Sequence, residues 1–247
     1  MERMKAASLP TLCLLALLAG CTPTVDGPKE TRVAGETLPF RLTSEVARRA
    51  TEGAPARFEE VERDVRHMLS KRLHRTPENL LKRAQYLDLL GRVYAEQGEY
   101  ADAEAAYRDA VDTLRATPGA SPEVLANALV QLAGVFYRLG DFAHASEAYA
   151  EAIALEEVRL GKDHDDLLGL LSIRAGLELK LGRPVEAEGL LRRELDTITR
   201  TRGLERREAA SVLDNLAEAL SQQDRKPEAA ELRQKAREIR HKLCDEC

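Results

Sequence analysis

Three residues near the C-terminus have the types and spacing for chemistry: His241, Cys244 and Cys247. A Cys-x-x-Cys pair supports thiol–disulfide exchange, and thiolates with an imidazole are zinc ligands. Redox work favours a helix N-terminus, where the dipole stabilises the thiolate. This pair instead closes the last helical segment, where the dipole opposes it. A zinc site needs a fourth ligand and better context. The reading retained is a disulfide between Cys244 and Cys247, or two idle thiols, with redox or metal chemistry as the alternative. So short a loop stabilises little.

A second constellation is His164 among Asp163, Asp165 and Asp166. Carboxylates and imidazole together are cation ligands. Acidic residues also favour the first turn of a helix, so the cluster reads more simply as a solvated loop that caps one. His67 and His74, seven apart, share a face if one helix carries both, and they read as surface histidines. Phosphate-loop, His-Glu-x-x-His, Gly-x-Ser-x-Gly and Ser-x-x-Lys motifs do not occur. No catalytic residue, metal or cofactor is assigned, and the chain is not read as an enzyme.

The elements that must position any site are helices. The 247 residues are 44% hydrophobic and 32% charged, which excludes disorder throughout. Aromatics make up only 4%, and there is no Trp, so a β-sandwich or barrel is disfavoured. The prevalence of Ala, Leu, Glu and Arg predicts an all-α chain. A net charge of -5 disfavours a nucleic-acid partner, which a basic face would have to attract.

The N-terminus carries Arg3 and Lys5, then an apolar run from Leu9 to Gly20, in the form of a secretory signal. The run is too short to cross a membrane. It ends Leu18-Ala19-Gly20-Cys21, which resembles the bacterial lipobox. That resemblance implies cleavage after residue 20, acylation of Cys21 and a lipid anchor. Thr22 in place of Asp implies the periplasmic face of the outer membrane. Residues 21–54, with Pro23, Gly27, Pro28, Gly35 and Pro39, read as a mostly extended tether, with a short helix at 41–50.

Beyond the tether the chain repeats. Gly98, Gly140 and Gly182 are spaced by 42 residues, and Asp224 completes the series. Relative to each marker, Leu87, Leu129, Leu171 and Leu213 stand at one fixed offset, and Gly91, Ala133, Ala175 and Ala217 at another. After each marker come Ala103, Ala145, Ala187 and Ala229, then Tyr107, Tyr149, Leu191 and Arg233. This spacing describes a helix, a tight turn and a second helix that the small residue lets approach closely. One hairpin cannot bury its own face, so copies must stack.

These residues resemble the tetratricopeptide repeat, in the longer form of kinesin light chain. Leu87, Leu90, Gly91, Tyr94, Gly98, Ala103, Tyr107 and Ala110 stand where that family has its signature. Leu129, Leu132, Ala133, Phe136, Gly140, Ala145, Tyr149 and Ala152 repeat it. Gly161 and His164 fit a Gly-x-x-His between repeats. The fold implied is a right-handed superhelical array of four hairpins over 76–247. Residues 55–75, with Phe58, Val61, Val65, Met68, Leu69 and Leu73 at helical spacing, cap it as one amphipathic helix. The third repeat departs from the pattern at Arg174, Glu178 and Glu194, and the fourth at Asp224 and Arg233. Both are expected to pack less tightly.

In such arrays the first helices line a concave face that holds a protein or peptide. Carried over by spacing, that face presents Gln85, Asp88, Arg92, Asn127, Val130, Gln131, Gly134, Tyr137, Ser172, Gly176, Leu179, Asp214, Asn215 and Glu218. Amides suit the role, since each offers a donor and an acceptor to a peptide backbone. The alternative is an ordinary solvated face. Gly134 and Gly176 lie one repeat apart inside helices, where glycine costs about 1 kcal/mol relative to Ala. They leave room for a ligand side chain, or they let helices pack closely. The function expected is a lipid-anchored, extracytoplasmic adaptor. The alternatives are an assembly factor of the pilotin or outer-membrane biogenesis type, a thiol or metal protein, and a self-associating array.

Overall fold

The computed structural model describes residues 55–71, 74–204 and 206–245. The signal segment 1–20, Cys21 and the tether to residue 54 lie outside the described residues, as do Leu73 and Cys247, and with Cys247 its pairing to Cys244. All described residues belong to a single compact unit.

Among the described residues there are nine helices and no strand: α1 (Pro55–Ser70), α2 (Pro77–Gln97), α3 (Tyr100–Arg115), α4 (Pro122–Leu139), α5 (Phe142–Leu160), α6 (Leu168–Lys180), α7 (Pro184–Arg202), α8 (Arg207–Gln222) and α9 (Lys226–Asp245). A single 3-10 turn, Asp165–Leu167, leads into α6. From α2 onward they pair as four antiparallel hairpins in an all-α superhelical array.

Local chemistry sets the hairpin boundaries. Pro77 opens α2 after Thr76, whose Oγ1 accepts from the Asn79 amide at 3.3 Å. At each hairpin turn the marker residue is left-handed: Gly98 at φ 81°, Gly140 at 80°, Gly182 at 70° and Asp224 at 62°. The residue after each marker donates its amide back to Tyr94, Phe136, Glu178 or Leu220, at 2.8–2.9 Å. This is the 6→1 bond of a Schellman turn, which satisfies a carbonyl the helix end would leave open. Asp tolerates that conformation better than most side chains, which is how the fourth turn keeps its shape without Gly.

Packing follows the same period. Ala103, Ala145, Ala187 and Ala229 are fully buried where each second helix meets its first. Leu87, Leu129, Leu171 and Leu213 are buried in the first helices, about three turns before each marker. Each such leucine contributes about 1.5–3 kcal/mol by leaving water. On α1, Val61 and Val65 are buried in the core shared with the first hairpin. Arg66 donates to the Tyr94 hydroxyl, which donates to Glu62 at 3.1 Å.

One expectation needs correction. The first helix ends at Ser70, not residue 75, where the Ser70 hydroxyl turns back to the His67 carbonyl at 2.8 Å. His74 therefore lies outside the helix, and it shares no helix face with His67. The third repeat, as expected, packs its two helices less closely than the others, yet it buries two of its polar departures. Glu178 and Glu194 are only 2% and 4% exposed. Glu178 sits where earlier repeats have Tyr94 and Phe136. Its Oε1 accepts from Ser146 at 2.5 Å, and Arg174 and Arg183 stand 3.6 and 3.5 Å away.

Candidate functional site

Two clefts open on the side of the first helices, at the same structural place two repeats apart. The first, about 270 Å³, lies between α2 and α4 with α3 beneath. Buried Ala84, Leu89 and Ala128 wall it, with Ala110 and Leu114 of α3 as its floor. Gln85, Asp88, Arg92, Val124 and Asn127 form the rim. The second cleft, about 420 Å³, lies between α6 and α8 with α7 beneath. Its residues are those of the first shifted by two periods: Gly169 for Gln85, Ser172 for Asp88, Ser211 for Asn127 and Ile198 for Leu114. The floor differs most, because Glu194 replaces Ala110.

The clefts differ in their electrostatics. In the first, burial pushes the Asp88 carboxyl above its usual range, while Arg92 pulls the other way. The Tyr107 hydroxyl beside it is also pushed up by burial, and Asp88 adds to the effect. In the second, burial pushes Glu194 up to about 7, against a hydrogen bond from Ser172. Glu194 Oε2 is buried without a hydrogen-bond partner.

The expected groove residues divide into three groups. Gln85, Asp88, Arg92 and Asn127 meet in the first cleft, and Ser172 lines the second. Gln131, Gly176 and Asn215 are exposed on their helices, and Gly134 is half-buried. The rest are engaged within the fold. Val130 and Leu179 are half-buried and pack on the core clusters. Tyr137 is 44% exposed, but its ring lies 5.5 Å from that of Phe142, with the Lys180 ammonium 5.9 Å from its centre. Asp214 takes a hydrogen bond from Arg240 of α9, and Glu218 stands 3.5 Å from Arg233. The spacing rule could not see these partners, because they come from neighbouring helices.

The two interior glycines have a clear geometry. A Cβ built on Gly134 or Gly176 would meet nothing within 4 Å. Close helix packing therefore does not account for either one. Gly91 is the opposite case, with Tyr107 ring carbons 2.9 Å from its hypothetical Cβ. We expect Gly134→Ala and Gly176→Ala each to raise stability by about 0.5–1 kcal/mol through helix propensity alone. Denaturant unfolding measures this, and a loss at either position would mean a hidden contact.

The back of the array is occupied differently. Arg115 of α3 pairs with Glu151 of α5 at 2.5 Å, and one repeat on Glu157 of α5 pairs with Arg193 of α7 at 2.5 Å, the charges exchanged. Such partly exposed pairs add about 0–1 kcal/mol each but take up the side chains that a partner would need.

The acidic loop is likewise engaged. Asp163 takes a hydrogen bond from Arg200 at 3.0 Å, and Asp165 takes one from Arg202 at 2.8 Å and one from Thr201 at 2.7 Å. These bonds hold the Asp165 carboxyl below its ordinary range. The His164 Nδ1 accepts the Asp166 amide at 3.2 Å, capping the 3-10 turn. Among the described residues no group of His, Cys, Asp or Glu is placed to hold a metal ion. No helix among them is long and apolar enough to cross a membrane.

Val124, Gly169, Glu194, Glu208 and Ser211 line the clefts but are not among the residues that spacing assigns to the groove. The signal was present: Ala110, Ala152 and Ala236 share the position of Glu194. Spacing alone reads Glu194 as a packing defect in a second helix.

Known proteins give a consistent picture. A family model described as tetratricopeptide repeat matches residues 82–157 and 166–242, more than half of the chain. A solved structure of a putative kinesin light chain with nearly identical TPR-like repeats, from Podosopora anserina, is similar with a TM-score of 0.69. It is 20% identical, over 84% of this chain and 99% of that one. BtubC (BKLC) from P. vanneervenii is 22% identical over 84% of this chain and 75% of its own, with a TM-score of 0.55. The MamA protein is 14% identical over 83% and 96%, with a TM-score of 0.53. At such identities the likeness shows the fold alone. No curated protein matches the chain in sequence.

Proposed function

This chain belongs to the tetratricopeptide repeat family, and from that premise we propose that it is an adaptor that binds a protein or peptide along its first helices, without chemistry of its own. The observation that carries this reading is the open space over Gly134 and Gly176. Two glycines lower the helix propensity of α4 and α6 by about 1 kcal/mol each, and nothing inside the fold uses the room they leave. A partner's side chains would. About two turns before Gly134 on the same helix, Asn127 joins Gln85 and Asp88 in the first cleft, whose polar groups can pair with a peptide backbone.

The second part of the proposal concerns place. Leu18-Ala19-Gly20-Cys21 has the form of a lipobox, so the adaptor is anchored through Cys21 and works at the periplasmic face of an outer membrane. Two or more acyl chains would hold it there stably. Self-association through the last repeat finds less support. Among the described residues, no large apolar side chain is exposed beyond Leu204.

The test is crosslinking and capture from native membranes, with the full chain beside two variants. Asn127→Ala with Asn215→Ala removes groove amides, and Gly134→Leu fills the open space. Wild-type chain is expected to retain a partner that both variants lose. Equal retention by Gly134→Leu would end the groove reading.

A further inference from the structure

We infer that the cleft between the third and fourth repeats is a socket for a lysine side chain of the bound partner. This deepens the adaptor reading and rests on it. The argument begins at the floor. Glu194 is a carboxylate in a position that Ala110, Ala152 and Ala236 fill in the other three repeats. It is 4% exposed, and its Oε2 has no hydrogen-bond partner. A buried carboxylate oxygen without a partner is costly, and folded proteins seldom leave one. A ligand that supplies the missing donor would offset that cost.

The walls narrow the choice of ligand. Leu168, Ile198 and Val212 line the cleft and are buried apolar residues. They suit a chain of methylenes. Ser172 and Ser211 add hydroxyl oxygens. An ammonium on a four-carbon stem fits this arrangement, with its three N–H donors shared among a carboxylate and two hydroxyls. A guanidinium is planar and prefers both oxygens of an open carboxylate, so it fits a single buried oxygen less well.

Of the charged groups beside Glu194, Asp165 and Arg202 pair with each other at 2.8 Å, and Glu208 adds a second acid to the lining. Arg206 and Arg207 line the adjoining cleft with Glu208. The equivalent cleft two repeats earlier has Ala110 and Leu114 at its floor, and its acid, Asp88, stands on the rim with Arg92. Of these two clefts, only the later one puts an acid on the floor.

The test is an NMR titration of the 15N-labelled full chain at fixed ionic strength. One probe is Nα-acetyl-lysine methylamide. The other is the norleucine analogue, which keeps an apolar stem and lacks the charge. The lysine probe is expected to shift the amides of Ser172, Glu194 and Ser211 saturably, and to bind at least about tenfold more tightly than the norleucine probe. Glu194→Gln and Glu194→Ala should each remove that preference. Glu194→Ala installs the residue of the other repeats, so its fold is secure. Equal binding of the two probes, or an unchanged preference in both variants, overturns the proposal. The adaptor reading is judged separately. Lysine binding at Glu194 without any captured partner would leave the socket standing and remove the adaptor. A captured partner without the lysine preference would do the reverse.

Discussion

Tyr107→Ala is expected to destabilise the array by about 3–5 kcal/mol, the usual loss for truncating a buried aromatic. The ring is 1% exposed between α2 and α3. It covers Gly91 so closely that a Cβ there would stand 2.9 Å from three ring carbons. The two residues are therefore a matched pair, and they should be coupled energetically. Gly91→Ala gains about 1 kcal/mol of helix propensity but must displace the ring, which typically costs about 1–3 kcal/mol. With Tyr107 already truncated, the overlap is gone, and the same Gly91→Ala should stabilise by up to about 1 kcal/mol. The second repeat limits the size of the clash. There Ala133 and Tyr149 occupy the same two positions, both buried. A hairpin can thus open enough for one methyl, and the loss at Gly91 belongs near the lower end. Denaturant unfolding of both single variants and the double variant completes the cycle. Simple additivity would show that the ring does not rest on Gly91.

The hairpins were legible because each turn leaves a chemical mark. A left-handed residue every 42 positions requires Gly or a tolerant substitute, and Gly98, Gly140, Gly182 and Asp224 are what the backbone needs there. A second series was equally visible and went unread. Gly119, Gly161 and Gly203, also 42 apart, take positive φ in the connections between hairpins. The clefts were legible only in part. Spacing assigns a residue to a face of its own helix, and Gln85, Asp88, Arg92 and Asn127, placed so, share one cleft. It cannot say what the next helix brings to that face. Arg240 reaches Asp214 from α9, and Lys180 lies over Tyr137 from α6. Glu194 was misjudged for a related reason. It belongs to a second helix, which spacing assigns to the back of the array. Yet the second helix forms the floor wherever two first helices part.

Glu194→Ala is expected to stabilise the fold by roughly 3 kcal/mol at alkaline pH, and to bring no such gain below about pH 4.5. The sign follows from the ionised form being the penalised one. Burial raises this carboxyl from 4.5 to about 7, against the pull of Ser172. A shift of that size corresponds to roughly 3 kcal/mol of preference for the neutral acid. Because the folded value lies above the unfolded one, this contribution is fully present below pH 4.5. It is lost as the pH rises through about 7. The alanine variant has nothing to titrate there, so it keeps its stability where the wild type declines. Glu194→Gln should gain less, since it removes the charge but leaves a buried polar group to satisfy. Unfolding curves at pH 4, 6 and 8 would decide the matter. A variant difference that does not change with pH, or a loss at pH 8, would mean the carboxylate is already compensated in the free protein. The expected result gives the socket its thermodynamic logic. The free array would carry a strained acid at the one cleft floor where its other repeats carry Ala, and a bound ammonium would relieve that strain without any movement of the fold.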